Sequence, residues 1–360
     1  MDRLYITRGG DAKHMTRLLL EATKPEEGHQ KSAHIALKPN LVVAKGWKSG
    51  ATTNPDVCEA VIEYFLERGY KNLCIIESSW LGCDTRHAFS VCGYDALARK
   101  YGIELVDVKK DKCVTKEYGG LSIDVSKRAL EADVLINLPL IKGHCQTKIT
   151  CALKNMKGLI PDREKRRFHT LGLHKPIAYL GKMIAPTLTI ADGIYTDPGF
   201  EEGGNPRRMD VMVAGTDSVL IDAYAAKLLG YMPHDIEYIS IAEQAGVGSA
   251  DLENADIINL SGNGGAIQNA RTDKLDSIKA HIVERDACSA CYANLLDALM
   301  QLEGSHGLGG LKVCVGQGFK GSSGETGSGD CTSNFAHCIK GCPPSAEDIK
   351  KELTALRGDI

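Results

Sequence analysis

Four cysteines near the end of the chain have the types and spacing of a metal-cluster site. Cys288 and Cys291 form a Cys-x2-Cys pair, Cys331 follows a glycine and an aspartate, and Cys342 is followed by two prolines. Such sets of cysteines serve disulfides, zinc sites, redox dithiols or iron-sulfur clusters. The first residues lack the basic start and apolar run of a secretory signal, which predicts a cytoplasmic protein with reduced thiols and makes disulfides the least expected use.

The spacing of these cysteines favours an iron-sulfur cluster over zinc. Structural zinc sites usually combine two close pairs, one from each half of the site. Only the first half is such a pair here, and the second half has Cys331 in a glycine-rich loop, Cys338 seven residues later and Cys342 before proline, as in ferredoxin-type ligation. We predict a [4Fe-4S] cluster held by Cys288, Cys291, Cys331 and Cys342. Cys338 is the substitute for Cys331, and zinc or unligated thiols are the alternatives.

The segment around the last two predicted ligands resembles a known cluster signature. Gly-x-Cys at 329–331 and Gly-Cys-Pro-Pro at 341–344 are similar to the proximal cluster motif of nickel-iron hydrogenase small subunits and of the related subunit of respiratory complex I. The resemblance covers residues 327–344. It implies cluster ligation by Cys331 and Cys342 and does not specify a reaction.

The elements around the cysteines are predicted to form a βαβα unit, an iron-sulfur cluster domain at 278–360. Its strand, helix, strand and helix are expected at 279–284, 291–302, 311–315 and 345–356. Cys314 lies between valines in the second strand and is predicted to be a core residue. Because ligands in open parallel sheets bind at the carboxyl ends of the strands, the other cysteines could converge there.

The rest of the chain has the composition of an ordinary globular protein. The 360 residues are 43% hydrophobic and 25% charged, with a formal net charge of -3. This balance gives no basic footprint for nucleic acid. No run of eighteen apolar residues indicates a membrane span. We therefore predict neither nucleic-acid nor membrane binding.

Alternating apolar strands and amphipathic helices in residues 30–265 predict an α/β fold. Several strands are nearly continuous apolar runs, the pattern of parallel strands buried on both faces. The predicted strands lie at 33–38, 72–77, 103–108, 134–138, 188–191, 211–215 and 256–260. Helices are predicted after Asn54 and from Ser218, with Asp217 as a cap. We expect a two-lobed body at 1–270, with mostly parallel sheets and flanking helices.

A concentrated set of hydrogen-bond donors follows the strand at 134–138. Lys142, His144, Lys154, Asn155 and Lys157 lie within sixteen residues and alternate with apolar residues, which favours a binding site, with a solvated basic loop as the alternative. If this segment folds back over the edge of the sheet, its donors suit a small anionic ligand, either carboxylate or phosphate. His144 is the expected general acid or base because the imidazole pKa lies near neutrality.

Carboxylates follow the strand at 188–191. Asp192 comes first, and Asp197 and Glu201 follow in the next loop. Carboxylates on such loops act as acids or bases or bind divalent ions. Asp192 is the preferred catalytic candidate, and its alternative role is structural because Asp-Gly is common in turns.

At these residues the chain resembles the DUF362 family, a group of α/β proteins largely without assigned activity, many of which carry ferredoxin-like clusters. The matching motifs are Lys38-Pro-Asn40, Leu138-Pro-Leu-Ile-Lys142-Gly-His144, Thr150-x3-Lys154-Asn155-x2-Gly158, Ala191-Asp192-Gly193 and Ala214-Gly215-Thr-Asp217 with Asp222. The resemblance implies the fold and a cleft. There we expect catalytic roles for His144, Lys154 and Asp192, and ligand-binding roles for Lys38, Asn40, Lys142, Asn155 and Lys157. The tail departs from the tandem ferredoxin repeats common in the family.

Two classes of function remain open. In the first, an oxidoreductase passes electrons between the cluster and a small anionic substrate or cofactor held by the lysine-rich segment. In the second, the protein is a non-catalytic electron carrier or a cluster-bearing partner that docks a redox partner protein. A weaker third reading starts from the spacing of His144 and Lys154, which is similar to a loop in lactate-racemase-type folds where a lysine tethers a nickel-pincer cofactor; this is an analogy of fold.

Overall fold

Residues 3–261 and 277–358 are described by the computed structural model. They fall into two units, 1–270 and 271–360. Residues 271–276, between the two predicted domains, lie outside the described residues.

The first unit is built on an eight-stranded sheet. Its strands are β1 (Arg3–Arg8), β2 (Ile35–Pro39), β3 (Leu73–Glu77), β4 (Glu104–Asp107), β7 (Val134–Leu138), β10 (Leu188–Thr196), β11 (Arg207–Gly215) and β12 (Asp256–Asn259). Their order across the sheet is β12-β1-β11-β10-β7-β2-β3-β4. Strand β11 is antiparallel to both of its neighbours, and the other neighbouring pairs are parallel.

Two antiparallel hairpins and a set of helices surround this sheet. The hairpins pair β5 (Cys113–Tyr118) with β6 (Leu121–Ser126), and β8 (Lys142–His144) with β9 (Lys148–Thr150). The helices are α1 (Ala12–Thr23), α2 (Pro55–Glu67), α3 (Thr85–Val91), α4 (Tyr94–Tyr101), α5 (Lys127–Leu130), α6 (Ala152–Asn155), α7 (Asp162–Thr170), α8 (His174–Met183), α9 (Ser218–Leu228) and α10 (Glu237–Gln244).

The central strands are buried on both faces. In β2, Ile35 and Leu37 belong to one hydrophobic core and Ala36 belongs to the other. Side chains of a strand alternate between the two faces of a sheet, so an unbroken apolar run places a core on each side. The predicted α/β class with a mostly parallel sheet is confirmed. In finer detail, the body is one compact unit on one large sheet rather than two lobes.

The predicted starts of two helices are confirmed. The side chain of Asn54 accepts a hydrogen bond from the Asp56 amide, with Pro55 in the first turn of α2. Asp217 accepts from the amides of Val219 and Leu220 at the start of α9. Short oxygen-bearing side chains at these positions satisfy amides that have no partner within the helix.

The second unit contains four parallel strands and two long helices. The strands β13 (Ile282–Glu284), β14 (Val313–Val315), β15 (Thr326–Ser328) and β16 (His337–Ile339) are hydrogen-bonded in this order. The helices are α11 (Ser289–His306) and α12 (Ala346–Leu356). The predicted βαβα unit therefore lacked β15 and β16, which lie in the segment expected to be a glycine-rich loop. Strands of three residues are too short to give a period-two signal.

Candidate functional site

A buried ion pair lies at the carboxyl ends of two central strands. Lys38 of β2 and Glu77 of β3 are 0% and 3% exposed, and Lys38 Nζ lies 2.8 Å from Glu77 Oε2. Lys38 Nζ also donates to the Pro39 carbonyl at 2.7 Å. The other interactions of Glu77 are with the backbone amides of Leu41 and Ser78. Burial lowers the pKa of Lys38, and the carboxylate of Glu77 opposes this effect.

Gly158 packs directly against this ion pair. A Cβ atom at this position would lie 1.9 Å from Glu77 Oε1 and 2.4 Å from Lys38 Cε. The Gly158 carbonyl also accepts a hydrogen bond of 3.0 Å from Ser78 Oγ. The glycine of the Lys-Asn-x-x-Gly motif is therefore required by close packing.

We expect Gly158→Ala to lower the free energy of unfolding by about 3 kcal/mol, because the new methyl group must displace a buried, hydrogen-bonded ion pair. Urea unfolding followed by tryptophan fluorescence measures this change in the body, since Trp47 and Trp80 both lie there. Gly46→Ala is the matched control, because Gly46 is exposed and has no atom within 4 Å of the Cβ position. Equal effects of the two exchanges would contradict the packing role of Gly158.

A chain of side-chain amides connects this pair to Lys142. Asn155 Nδ2 donates to Asn137 Oδ1 at 2.8 Å, and Asn155 Oδ1 accepts from Asn40 Nδ2 at 3.0 Å. Asn155 Oδ1 also lies 3.3 Å from Lys38 Nζ. Asn40 Oδ1 in turn accepts from Lys142 Nζ at 3.0 Å. Four predicted ligand-binding residues, Lys38, Asn40, Lys142 and Asn155, are thus brought together in one hydrogen-bond network.

Lys142 is fully buried and bonded mainly to backbone. Besides Asn40, its Nζ donates to the carbonyls of Ala51 and of Glu201, the latter at 2.7 Å. Burial lowers the pKa of Lys142 to about 7, with a further decrease from the charge of Lys154. The backbone of Pro198 passes close to the next residue, Gly143. A Cβ atom at Gly143 would lie 2.2 Å from the Pro198 carbonyl oxygen. The hydrogen bond from Lys142 to Glu201 therefore connects the hairpin of β8 and β9 to the loop that follows β10.

The imidazole of His144 is held as a neutral donor. Its Nδ1 accepts hydrogen bonds from the amides of Gln146 at 3.0 Å and Thr147 at 3.1 Å. The ring proton therefore resides on Nε2, which lies 3.1 Å from Glu201 Oε2. Burial lowers the pKa of His144 to about 4. With its lone pair engaged by two amides, His144 is arranged to donate to Glu201 rather than to accept a proton from a substrate.

Glu201 is the central acid of the site. The same Oε2 atom that faces His144 accepts a hydrogen bond of 2.8 Å from Lys154 Nζ, which also donates to Thr150 Oγ1. Burial alone would raise the pKa of Glu201, but His144 and Lys154 outweigh burial and hold this pKa well below its usual range. The sequence placed Glu201 among the loop acids but did not pair it with these residues, because 47 and 57 positions separate it from Lys154 and His144.

Asp222 positions the helix that carries Lys154 and Asn155. Its two carboxylate oxygens accept hydrogen bonds from the amides of Ala152 and Leu153, at 2.5 and 3.1 Å. Burial raises the pKa of Asp222 to about 7. These amides have no partner within α6, so a carboxylate from α9 caps this helix from outside.

Lys157 lies in the turn Met156–Leu159 that follows α6. It is half-buried, and its ammonium faces the ring of Phe168 at 6.0 Å from the centroid. Burial, and next the charge of Lys154, lower the pKa of Lys157 to about 7. Unlike Lys38, Lys142 and Lys154, it donates no hydrogen bond to any described residue.

We expect the amine of Lys157 to titrate with a midpoint near pH 7, which trace labelling with acetic anhydride and peptide mass spectrometry can measure. The exchange Lys154→Gln removes a neighbouring positive charge and should raise this midpoint by about one unit. Lys175→Gln, on the exposed surface of α8, should leave the midpoint in place. A midpoint above pH 9 in the unaltered protein would refute the effect of burial.

The carboxylate of Asp192 accepts hydrogen bonds from backbone amides. Its Oδ2 accepts from the Asn54 amide and its Oδ1 from the Ile194 amide, both at 3.0 Å. Burial raises the pKa of Asp192 to about 6. Among the described residues, one carboxylate oxygen is therefore engaged by the amide that precedes α2 and the other by an amide within β10, contacts that fit the structural alternative.

In the second unit, three loops at one edge of the parallel sheet carry the predicted cluster ligands. Cys288 follows β13 and directly precedes α11, Cys331 follows β15, and Cys342 follows β16. The loops are tied together by hydrogen bonds, since the Asp330 amide donates to the Gly341 carbonyl at 3.0 Å. Asn294 Nδ2 of α11 donates to the Pro344 carbonyl at 2.8 Å. Parallel pairing thus places the three loops on the same edge.

The four thiols are electrostatic neighbours. Burial raises the pKa of Cys291 to about 12, and the next contributions come from the charges of Cys288, Cys342 and Cys331. Burial also raises the pKa of Cys331, and Cys288 and Cys342 add to this increase. A Cβ on Gly329 would lie 3.8 Å from Cys291 Sγ. Raised pKa values keep the Cys291 and Cys331 thiols protonated in the absence of metal, and a cationic metal centre would offset the repulsion between their deprotonated forms.

Cys338 and Cys314 occupy strands instead. The Cys338 thiol in β16 faces the Gly329 carbonyl at 3.7 Å and Thr332 Oγ1 at 3.8 Å. Cys314 is half-buried, whereas its neighbours Val313 and Val315 are fully buried. As they stand, no three or more histidine, cysteine, aspartate or glutamate side chains in residues 3–261 and 277–358 are grouped closely enough to hold a metal ion.

No helix in the described parts of the chain combines the length and apolar character needed to cross a membrane. A curated relative, the thylakoid-associated protein sll1697 of Synechocystis, is 28% identical over 226 residues, which cover 61% of this chain and 70% of that protein. Among solved structures, the lactate racemase apoprotein of Thermoanaerobacterium thermosaccharolyticum matches with a TM-score of 0.42 and 10% identity. That match covers 62% of this chain and 57% of the racemase chain.

One protein family matches the part of the chain that contains the lysine-rich site. The family model described as a domain of unknown function, DUF362, aligns with residues 35–227. This range is more than half of the chain and contains Lys38, Lys142, Lys154 and Glu201 together with their hydrogen-bond partners. The chain therefore belongs to the DUF362 family.

Proposed function

We propose that the protein is an iron-sulfur oxidoreductase in which a [4Fe-4S] cluster in the C-terminal unit exchanges electrons with a small anionic substrate or cofactor bound by the body. The observation that supports this proposal is that Cys288, Cys331 and Cys342 lie in three loops at the same edge of a parallel sheet, and that the charges of all three act on the Cys291 thiol. Cysteine thiolates are the usual protein ligands of such clusters. A bound cluster would supply one-electron chemistry.

The surroundings of the thiols fit a cluster whose potential is tuned by the protein. Gln317 Nε2 lies 3.5 Å from Cys288 Sγ and donates toward it. Lys320 lowers the pKa of Cys331 against the effect of burial. Hydrogen bonds and positive charges near the sulfur atoms stabilise the more negative, reduced form of a cluster.

The body supplies a binding site of suitable charge. Lys154 and Lys157 contribute positive charge to the site, and Glu201 offsets part of it. Lys157 has no hydrogen-bond acceptor among the described residues, so an incoming carboxylate or phosphate oxygen could serve as one. Because the pKa of Lys157 is about 7, binding of an anion would favour its protonated form.

The rate of reoxidation tests the enzyme proposal. We expect anaerobically reduced protein to be reoxidised faster when a small 2-oxo acid such as pyruvate is present, and we expect Lys157→Met to abolish this acceleration. Lys175→Met is the control on the exposed surface. Equal rates with and without a panel of small carboxylates and phosphates would contradict catalysis.

Equal rates of this kind would support a second candidate, a non-catalytic electron carrier. The Cys342 thiol is exposed, which would leave a cluster accessible to a redox partner protein. This candidate expects electron transfer to or from a second protein with no dependence on small acids.

A further inference from the structure

Lys157 differs chemically from the other lysines around the body site. Lys38, Lys142 and Lys154 each donate at least two hydrogen bonds to protein oxygens. Lys165, also buried, donates to Ser78 Oγ and to two backbone carbonyls. These four amines are fixed in place by the protein. The amine of Lys157 faces an aromatic ring and has no acceptor among the described residues.

Charged and neutral side chains lie around the Lys157 amine. The charges of Lys154 and Glu201 both act on Lys157, and the same two residues act on the neighbouring His169. Burial, and next the charge of Lys157, lower the pKa of His169 to about 3, so this ring is neutral. His169 Nδ1 is buried and has no hydrogen-bond partner in the part of the chain that the structure describes. The neighbourhood therefore combines an amine that has no hydrogen-bond acceptor among the described residues, the hydrogen-bonded ammonium of Lys154 and the neutral imidazole of His169.

We propose that Lys157 forms an imine with the carbonyl carbon of a small 2-oxo acid. This names the substrate class of the anion site and rests on the proposed function. The unprotonated Nζ attacks the carbonyl carbon, the resulting carbinolamine loses water, and one proton from solvent is retained on the nitrogen. The balance is 2-oxo acid plus amine plus one proton, giving iminium plus one water.

The surroundings of Lys157 suit each part of this step. A lowered pKa leaves a large share of the amine in the nucleophilic form at neutral pH. The positive charge of Lys154 attracts the carboxylate next to the carbonyl group. The iminium keeps the positive charge of the former ammonium, so Glu201 retains a cationic neighbour after the bond has formed. An iminium at this position would also act as an electron sink for a bound acid, in keeping with redox chemistry.

Reductive trapping tests the imine. The full-length protein is incubated with pyruvate and sodium cyanoborohydride at pH 7, and the adduct is located by peptide mass spectrometry. We expect one reduced pyruvate adduct on Lys157, formed at least tenfold faster than on the exposed Lys175. Lys157→Met should remove this adduct, and circular dichroism shows whether the variant is folded. Lys157→Arg serves as a second variant that keeps the positive charge and lacks the nucleophile.

Competition distinguishes the imine from simple anion binding. Lactate has the carboxylate but no carbonyl group, so it should slow the trapping at Lys157 without forming an adduct. If lactate and pyruvate both protect Lys157 from acetylation and no adduct forms, the imine is overturned and the anion site stands. If adducts are spread over exposed lysines and neither acid protects Lys157, both the imine and the anion site are overturned.

Discussion

Cys331→Ser should abolish assembly of the iron-sulfur cluster, whereas Cys338→Ser should leave at least about four-fifths of the iron in place. The reason is position: Cys331 lies in the loop after β15 and its charge acts on Cys291, whereas the Cys338 thiol lies in β16 against the Gly329 carbonyl. The measurement is anaerobic reconstitution of the full chain followed by analysis of iron, zinc and acid-labile sulfide, together with visible absorption.

Cys314→Ser is the control for this pair, since Cys314 is a half-buried thiol in β14 of the same unit. It should bind as much iron as the unaltered protein. Loss of iron in Cys338→Ser with retention in Cys331→Ser would reverse the assignment of the fourth ligand. One zinc ion per chain with no acid-labile sulfide would refute the cluster and favour a zinc site.

Glu77→Gln should destabilise the body by about 3 to 5 kcal/mol, the usual cost of leaving one member of a buried ion pair without its partner. The ammonium of Lys38 is 0% exposed and its other acceptors are the Pro39 carbonyl and the Asn155 side chain, neither of which carries charge. Urea unfolding followed by the fluorescence of Trp47 and Trp80 reports this loss from the body alone.

The matched control is Glu104→Gln, which breaks an exposed ion pair with Arg128 and should cost less than about 1 kcal/mol. The double exchange Lys38→Met with Glu77→Leu should recover most of the stability lost in Glu77→Gln, because no buried charge remains. Similar losses in Glu77→Gln and Glu104→Gln would show that the pair at Lys38 does not behave as a buried one.

The sequence was most informative where local pattern and tertiary structure agree. The apolar runs at 72–77 and 134–138 coincide with β3 and β7 to within one residue, because strands buried on both faces need apolar side chains at every position. Asn54 and Asp217 cap helices as expected, since capping depends on residues only two or three positions apart.

Contacts between distant segments could not be predicted in this way. Glu77 ends an apolar strand and carries no local mark of its pairing with Lys38, 39 positions earlier. The antiparallel course of β11 was also missed, and with it the loop that brings Glu201 to His144 and Lys154. For His144 the sequence suggested a general acid or base but not the hydrogen bonds from two amides of its own hairpin, which occupy the lone pair on Nδ1.

Strand β1 has a consequence for the order in which the body is assembled during synthesis. Its residues pair with β11 at 211–214 on one side and with β12 at 256–259 on the other. A chain that emerges from the ribosome from its first residue onward therefore presents this strand with both edges unpaired until more than 200 further residues have been made. The lysine-rich site, completed by Glu201, also waits for the chain to reach that length. The strands from β2 to β7 can pair with one another earlier, so the side of the sheet that contains β1 is the last to be completed.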